Sequence, residues 1–412
     1  MSRFGDKMGY FLFLILLLLG QVNAAYKSLQ TGLQMPFKVS DMSATLYDKS
    51  LDSNGPRIYI VGGCVADQLC QTSVGINCYC TDITDKCKYF TPDNPSWHDC
   101  ADAPRERYRH SAAIVGDYLY VIGGRDTVSD ALIPDIDVYD IKNDVWSSFA
   151  TQASSEVVSD GAAFSYENSF YVVGGYNDNS APYTPMSTML AYDTSSSKTT
   201  FSGSPATKAS MTIPRGDIGS GVLNNQFYVT GGWESDWCTP SKAVEKYDPV
   251  TDTWTSLPDL LYGRGDMVVG VLENYLFSIA GEQKLGGGPP PNCNISIPVD
   301  YVGKYSPSSN SWSVEESLPL QVFRFAGVSY QSATVEAIYL FGGQLTFNYN
   351  INNPNGAYGG YEVVNNVYQY VPTSVAKKEG LTDGQIAGIV IGVLAGIACC
   401  FASATAYLLY QR

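Results

Sequence analysis

The amino-acid sequence predicts an all-β fold built from six repeated four-stranded units, with a hydrophobic segment near each end of the chain. Three observations in the 412 residues carry this prediction. Five strand-like runs end in a glycine pair and a sixth ends in alanine and glycine. Most of the six are followed by an aromatic residue and a tryptophan at fixed spacing, and long uncharged hydrophobic runs occur only near the termini. Regular repetition indicates a fold in which each unit buries its apolar face against its neighbours.

Each repeat is centred on a short run rich in β-branched and aromatic residues. Such residues favour strands, and the glycine pair marks the place where the strand bends or where two backbones approach closely. In the fifth run, Ala280 replaces the first glycine. The six runs are 58–63, 119–124, 170–175, 227–232, 276–281 and 338–343.

A second signal follows most of the glycine pairs, where an aromatic residue precedes a tryptophan by seven positions. Turn-forming residues such as Asp248 and Pro249 separate the two, so each pair marks two strands joined by a hairpin. One further strand precedes each glycine pair, which gives four antiparallel strands and a period of roughly 50 residues. The third unit has Tyr192 but no tryptophan. The four pairs are Phe90 and Trp97, Tyr139 and Trp146, Tyr247 and Trp254, and Tyr305 and Trp312.

These glycine, tyrosine and tryptophan positions resemble the kelch-repeat family, and the resemblance covers nearly all of residues 26–372. It implies that each repeat is one blade and that residues 25–372 form a six-bladed kelch-type β-propeller. The last repeat lacks a tryptophan strand, whereas segment 26–36 resembles that missing strand, with Tyr26 in the tryptophan position. We therefore expect the N-terminal strand to complete the last blade and close the ring.

The two ends of the chain predict export and one membrane anchor. Residues 1–24 combine basic residues, an apolar run and a small-residue cleavage site, which is typical of a secretory signal peptide. Residues 386–410 are uncharged and long enough for one C-terminal transmembrane helix, with a juxtamembrane linker at 373–385 and a cytoplasmic end at 411–412. The sequence thus predicts a single-pass type I membrane protein whose propeller is extracellular or luminal.

The anchor has an alternative interpretation. Small residues at 374–376, a polar spacer and the hydrophobic tail also fit a glycosylphosphatidylinositol signal, which would hold the protein at the cell surface. If the segment is a membrane helix, Gly388, Gly392 and Gly396 form one stripe on it, and this stripe would permit a homodimer.

Charge and cysteine content narrow the functional classes. The net charge of −15 excludes nucleic acid as a partner, because such a surface repels phosphates.

In an oxidising compartment the cysteines predict three disulfides within the first unit, whose pairing the sequence does not determine, and one disulfide between units four and five. A zinc site is the alternative, but the spacing does not favour it. Asn294 begins the one glycosylation sequon. The eight cysteines outside the terminal segments are Cys64, Cys70, Cys78, Cys80, Cys87, Cys100, Cys238 and Cys293.

The kelch resemblance implies that a ligand meets the face formed by the loops after the glycine pairs and by the starts of the innermost strands. These strands are expected to begin near Asp41, His110, Asp160, Asp217, Asp266 and Phe325. The four aspartates predict a ring of carboxylates that suits a cation or a basic or hydroxyl-rich ligand. The alternative is that each aspartate caps a turn or pairs with a nearby arginine as part of the repeat. The candidate ligand-binding residues are Arg125, Asp160, Tyr176, Arg215, Asp217, Trp233, Glu234, Arg264, Asp266, Glu282, Arg324 and Gln344.

The sequence therefore favours a non-enzymatic binding protein of the cell surface or an endomembrane, which engages a glycan, a peptide or a partner ectodomain through this face. No metal or cofactor is expected. Galactose oxidase, a kelch propeller, needs two histidines for its copper, whereas the only histidines here, His98 and His110, lie in different strands. The alternative is a secretory-pathway carbohydrate-active enzyme such as a kelch-type sugar mutarotase, which needs mainly arginine and glutamate.

Overall fold

A computed structural model describes residues 26–28, 34–49, 55–69, 80–127, 130–179, 183–235, 239–285, 295–347 and 360–372. These residues form 27 strands and no helix, which confirms the all-β class. The predicted signal peptide and everything from residue 373 onward, including the glycine stripe, lie outside the described residues. Within the described ranges, no helix is long and apolar enough to cross a membrane.

Six four-stranded antiparallel sheets correspond to the six predicted repeats. In blades 1 to 5 the chain enters at the innermost strand and proceeds outward, and in blade 6 it does so over the three inner strands. Blade 1 contains β2 (Ser43–Tyr47), β3 (Arg57–Val61), β5 (Cys87–Thr91) and β6 (Ser96–Asp99). Blade 2 contains β7 (Ser111–Val115), β8 (Tyr118–Ile122), β9 (Asp135–Asp140) and β10 (Val145–Thr151). Blade 3 contains β11 (Ala162–Tyr166), β12 (Ser169–Val173), β13 (Met189–Asp193) and β14 (Ala206–Lys208).

The second half of the ring repeats this order. Blade 4 contains β15 (Gly219–Leu223), β16 (Gln226–Thr230), β17 (Val244–Asp248) and β18 (Thr253–Leu257). Blade 5 contains β19 (Val268–Leu272), β20 (Tyr275–Leu285), β21 (Ile295–Ser306) and β22 (Ser311–Glu315). Blade 6 contains β23 (Ala326–Gln331), β24 (Glu336–Phe341) and β27 (Val367–Tyr370). The first strands contact one another in sequence, and β23 contacts β2, so the six blades close into a ring.

The N-terminal strand completes the last blade, as predicted. Strand β1 (Tyr26–Ser28) pairs antiparallel with β27, and Tyr26 lies opposite Tyr370. The segment that follows is also tied to blade 6, because the Met35 amide donates to the Asn365 carbonyl at 2.8 Å. This pairing removes an open sheet edge and links the start of the domain to its end.

A small three-stranded sheet, which the repeat pattern does not predict, joins blade 6 to blade 1. It pairs β25 (Gln344–Phe347) with β26 (Gly360–Val363), and β26 with the short β4 (Gln68–Leu69). The Asp67 side chain accepts a hydrogen bond from the Val363 amide at 2.9 Å. The sheet therefore adds a second connection across the seam where the ring closes.

The glycine pairs end the second strands for a steric reason. Gly123 and Gly124 have left-handed φ values of 64° and 85°. A Cβ atom on Gly124 would lie 2.6 Å from the Tyr108 carbonyl of the neighbouring segment, so no other residue fits without a shift. Ala280 in blade 5 adopts φ of 50°, and the pairing of β20 with β21 changes register beside it.

The tyrosine and tryptophan of the repeat each make one specific hydrogen bond. In blade 4, Tyr247 Oη donates to Asp252 of the following hairpin at 2.8 Å. Trp254 Nε1 donates to the Ala209 carbonyl, in the segment that connects blade 3 to blade 4, at 2.7 Å. Blades 2 and 5 repeat both bonds. The tyrosine thus fixes the hairpin, and the tryptophan attaches the outer strand to the incoming chain.

Two of the predicted local disulfides lie within blade 1. Cys64 pairs with Cys80, and Cys87 pairs with Cys100. Cys87 and Cys100 connect the third strand to the end of the fourth. The remaining cysteines, Cys70, Cys78, Cys238 and Cys293, lie outside the described residues, as does Asn294.

Candidate binding site at the channel mouth

One face of the propeller carries both the loops after the second strands and the segments that lead into the first strands. Four antiparallel strands place these two features at the same end of a blade. Two positions before each first strand, the backbone is left-handed, with φ between 49° and 57°. The six residues at this position, one from each blade, are called the inner hexad: Asp41, Arg109, Asp160, Asp217, Asp266 and Arg324.

Backbone hydrogen bonds link five of the six neighbouring pairs of the inner hexad. The Arg109 amide donates to the Asp41 carbonyl at 2.8 Å, and the Asp160 amide donates to the Arg109 carbonyl at 2.9 Å. Three further neighbouring pairs make the same contact at 2.9 Å. The main chain therefore brings six side chains together whatever their chemical type.

The two arginines of the inner hexad lie between aspartates. Arg109 Nε is 3.5 Å from Asp41 Oδ1 and 3.6 Å from Asp160 Oδ1. Arg324 Nε is 3.8 Å from Asp41 Oδ1 and 3.3 Å from Asp266 Oδ2. Three carboxylates therefore share two guanidinium groups, and with Asp217 as the fourth aspartate the mouth has a formal excess of negative charge.

The pKa values of Asp217 and Asp266 are raised by this arrangement. Asp217 forms no ion pair with a described residue and accepts a hydrogen bond from Tyr176 Oη at 3.0 Å. Burial, followed by the charges of Asp266 and Asp160, raises the pKa of Asp217 well above its usual range. Burial, followed by Glu282, raises the pKa of Asp266 to about 7. A bound cation would relieve both effects.

The inner hexad surrounds a pocket of about 130 Å³. The Asp160 side chain lines it and is 5% exposed, and its Oδ2 atom has no hydrogen-bond partner among the described residues. A buried polar atom without a partner costs about 1–3 kcal/mol. The pocket therefore favours a ligand that donates hydrogen bonds and carries positive charge.

A second ring lies behind the first and consists of the residues that follow the glycine pairs. Each of them forms an isolated β-bridge with the residue just before the inner-hexad position. All are at most 3% exposed. This outer hexad consists of Cys64, Arg125, Tyr176, Trp233, Glu282 and Gln344.

The outer hexad supports the inner one through side-chain contacts. Gln344 Nε2 donates to Ser40 Oγ at 2.8 Å, beside Asp41. Arg125 Nε donates to Ser159 Oγ at 2.8 Å. Glu282 Oε2 is buried without a hydrogen-bond partner among the described residues and adds to the negative potential of the mouth.

Most of the predicted ligand-binding residues fall in these two rings. Asp160, Asp217, Asp266 and Arg324 belong to the inner hexad, and Arg125, Tyr176, Trp233, Glu282 and Gln344 belong to the outer one. The other three lie elsewhere. Glu234 comes directly after Trp233 of the outer hexad in the sequence. Arg215 is buried in blade 4, where it pairs with Glu245 at 2.7 Å, and Arg264 is buried in blade 5.

Sequence reasoning missed Arg109. It took His110 and Phe325 as the starts of their strands, whereas Arg109 and Arg324 occupy the positions equivalent to the aspartates. Both first strands begin two residues after these arginines, at Ser111 and Ala326. Counting back two residues from each inner strand would have identified the full ring.

His110 lines the same pocket. Its Nε2 lies 3.0 Å from Ser43 Oγ. Burial, followed by the charge of Arg107, lowers the pKa of His110 to about 3, so its imidazole is neutral at physiological pH. Within the ranges that the structure describes, no three histidine, cysteine or acidic side chains are grouped to hold a metal ion.

Known proteins share both the repeats and the architecture. The family described as the KLHDC2/KLHL20/DRC7 Kelch-repeats domain matches residues 41–281. Kelch-like protein 38 of Danio rerio is 31% identical over 172 residues, which covers 40% of this chain and 26% of that protein. Kelch-like protein 36 of Rattus norvegicus is 26% identical over 271 residues, which covers 64% of this chain and 40% of that protein.

A solved structure of YjhT resembles the whole propeller. The TM-score is 0.58 at 14% identity, over 80% of this chain and 95% of the YjhT chain, which shows a shared fold. The curated relatives are longer, and this chain spans only about a quarter to two fifths of their length. Because the family match covers more than half of the sequence, the chain belongs to the kelch-repeat family and forms a six-bladed kelch β-propeller.

Proposed function

We propose that this protein is a non-enzymatic binding protein whose propeller engages a protein partner at the channel mouth. The partner presents a basic side chain to the inner hexad, and its flanking residues lie on the surrounding loops. The observation that carries this proposal is the 130 Å³ pocket bordered by four aspartates and two arginines, in which Asp160 Oδ2 is buried without a hydrogen-bond partner in the part of the chain that the structure describes. Kelch repeats are typical of protein-binding proteins, which supports a protein partner over a glycan.

The charges at the mouth support a cationic group in particular. An arginine or lysine side chain donates several hydrogen bonds and carries one positive charge. It would satisfy Asp160 Oδ2 and favour the ionised forms of Asp217 and Asp266. A neutral group could donate hydrogen bonds but would bring no charge to Asp217 and Asp266, and an anionic group would be repelled by them.

We further propose that binding takes place outside the cytosol, at the cell surface or in an endomembrane lumen. The two disulfides of blade 1 support an oxidising compartment. The hydrophobic run within residues 1–24 supports export, and the run at 386–410 supports a membrane anchor.

Peptide and glycan arrays probed with the purified full-length chain test the proposal. We expect binding to peptides that carry arginine or lysine, and we expect the double variant Asp217→Asn, Asp266→Asn to lose about tenfold or more in affinity. Asn at these positions keeps the left-handed backbone accessible, so the ring is preserved. Hits confined to glycans, or equal binding by the double variant, would refute this proposal.

A further inference from the structure

Three blades carry a buried arginine two residues before the inner hexad, at Arg107, Arg215 and Arg264. In two of these blades the guanidinium forms an ion pair with a carboxylate from the third strand of the same blade. Arg107 pairs with Asp137, and Arg215 pairs with Glu245 at 2.7 Å. These buried pairs satisfy a charge that would otherwise be costly inside the protein.

Blade 5 lacks the carboxylate. Asp137 lies opposite Val121, and Glu245 lies opposite Val229, two residues before the glycine pairs. The equivalent residue of β20, Ser278, lies opposite Gly303. Glycine therefore stands where the other two blades place an acid.

Arg264 consequently has no ionic partner among the described residues. Its side chain makes two hydrogen bonds, both from Nη2, to the Ser278 carbonyl at 2.7 Å and to Ser278 Oγ at 2.6 Å. Nε is buried and without a partner among the described residues, and Arg264 is only 2% exposed. Burial lowers the pKa of all three arginines, but only for Arg107 and Arg215 does a carboxylate oppose that effect.

The space left by Gly303 belongs to a cavity of about 230 Å³ that Arg264 also lines. Its walls are aromatic: the rings of Tyr262 and Tyr301 lie 4.7 Å apart, and Trp312 forms another side. Gly303 does not need its conformational freedom, because its backbone is not left-handed. A Cβ atom there would lie 3.3 Å from the Trp312 ring, a contact that a small shift of the ring relieves.

We propose that this cavity, here called the blade 5 pocket, binds a small carboxylic acid with an aromatic or branched apolar body. The ligand carboxylate takes the position that Asp137 and Glu245 occupy in the other blades and pairs with Arg264. The apolar body packs between the tyrosines and Trp312. The volume suits such a ligand, because a cavity of about 150 Å³ already admits benzene.

Ligand-observed NMR titrations with 3-phenylpropionate and its neutral amide test the pocket on the full-length chain. We expect the acid to bind about tenfold or more tightly than the amide, because only the acid pairs with the buried guanidinium. In the variant Gly303→Glu, the new side chain supplies the missing carboxylate, so binding of the acid should be lost. The matched control Gly303→Ala adds a methyl group without a charge and should bind the acid within about threefold of the wild type.

A thermal unfolding curve accompanies each variant. Gly303→Glu should melt no lower than Gly303→Ala, because its carboxylate pairs with Arg264. If it does not fold, Arg264→Gln replaces it and should bind acid and amide equally. Equal binding of acid and amide by the wild type, or full binding of the acid by a folded Gly303→Glu chain, would overturn the proposal. Neither variant touches the inner hexad, so this test is independent of binding at the channel mouth.

Discussion

At the scale of single residues, the aspartates of the inner hexad have two possible explanations, the left-handed backbone at their positions and a ligand that they bind. Aspartate tolerates left-handed φ better than most residues, so the repeat alone explains its frequency at these positions. Arg109 and Arg324, however, adopt the same conformation with φ of 57° and 54°. The backbone therefore does not demand an acid, and the buried excess of carboxylates at the mouth needs another reason.

The first prediction concerns Asp266 and pH. Its pKa in the folded chain is about 7, above the unfolded value of about 3.9. The stability that the protonated form provides is therefore complete below about pH 4 and is lost as the pH rises through about 7. Asp266→Asn removes this loss and should stabilise the chain at about pH 8 by up to about 4 kcal/mol, but not at about pH 4.

Urea unfolding at both pH values measures this difference. Asp259→Asn, at an exposed aspartate, is the control and should leave the free energy of unfolding unchanged at either pH. An effect of Asp266→Asn on the free energy of unfolding that is the same at about pH 4 and about pH 8 would contradict the assignment of a raised pKa to Asp266.

At the scale of elements, the sequence predicted the blades well because each carries its own contacts. The tyrosine and tryptophan spacing corresponds to two hydrogen bonds that recur in blades 2, 4 and 5. The sheet of β4, β25 and β26 could not be predicted, because it pairs loop segments from opposite ends of the chain. In blade 3, Phe201 packs against Tyr192 at 5.3 Å between ring centres, which gives this blade an aromatic contact despite the missing tryptophan.

The tryptophan bond gives the second prediction. Trp254→Phe keeps an aromatic ring but leaves the Ala209 carbonyl without its donor. We expect a loss of about 1–2 kcal/mol in the free energy of unfolding, measured by urea denaturation. The adjacent exposed residue provides the control, Thr255→Ala, which should change stability by less than about 0.5 kcal/mol. Equal effects of the two variants would refute the role given to this bond.

The N-terminal strand gives the third prediction. Deleting residues 25–36 removes the pairing with β27 and the contact between Met35 and Asn365. We expect the Tm to fall by roughly 5–10 °C, because the edge of blade 6 opens and buried Tyr370 loses its cover. A chain that melts at the wild-type temperature would show that the strand does not close the ring.

At the scale of the whole molecule, the number of blades and their order follow from the repeats, whereas the ligand face follows only in part. Nine of the predicted ligand-binding residues lie in the two rings. They could be predicted because their positions are fixed relative to the glycine pairs and to the strands beside them. The sequence also placed Arg215 and Arg264 at the mouth. Each of them precedes an inner-hexad residue by only two positions, but its side chain is buried inside its blade. The absent partner of Arg264 became apparent only from the strand register.

The disulfides give the fourth prediction. Cys87 and Cys100 enclose 13 residues of sequence separation, and loss of such a bridge costs about 3 kcal/mol when it constrains the unfolded chain. Replacing both by serine should lower the free energy of unfolding by that amount in oxidising buffer and by nothing in reducing buffer. An equal loss in both buffers would show that packing of the serines, and not the missing bridge, is responsible.

The central claim is that the mouth of the propeller binds a cationic side chain. Calorimetric titration of the full-length chain with the peptide acetyl-Gly-Gly-Arg-Gly-Gly-amide tests it most directly, with citrulline in place of arginine as the neutral control. We expect only the arginine peptide to bind, with affinity that weakens as the pH falls from about 8 to about 5.5 and Asp266 takes up a proton. Equal binding of the two peptides, or an arginine peptide whose binding the double variant Asp217→Asn, Asp266→Asn leaves unchanged, would contradict it.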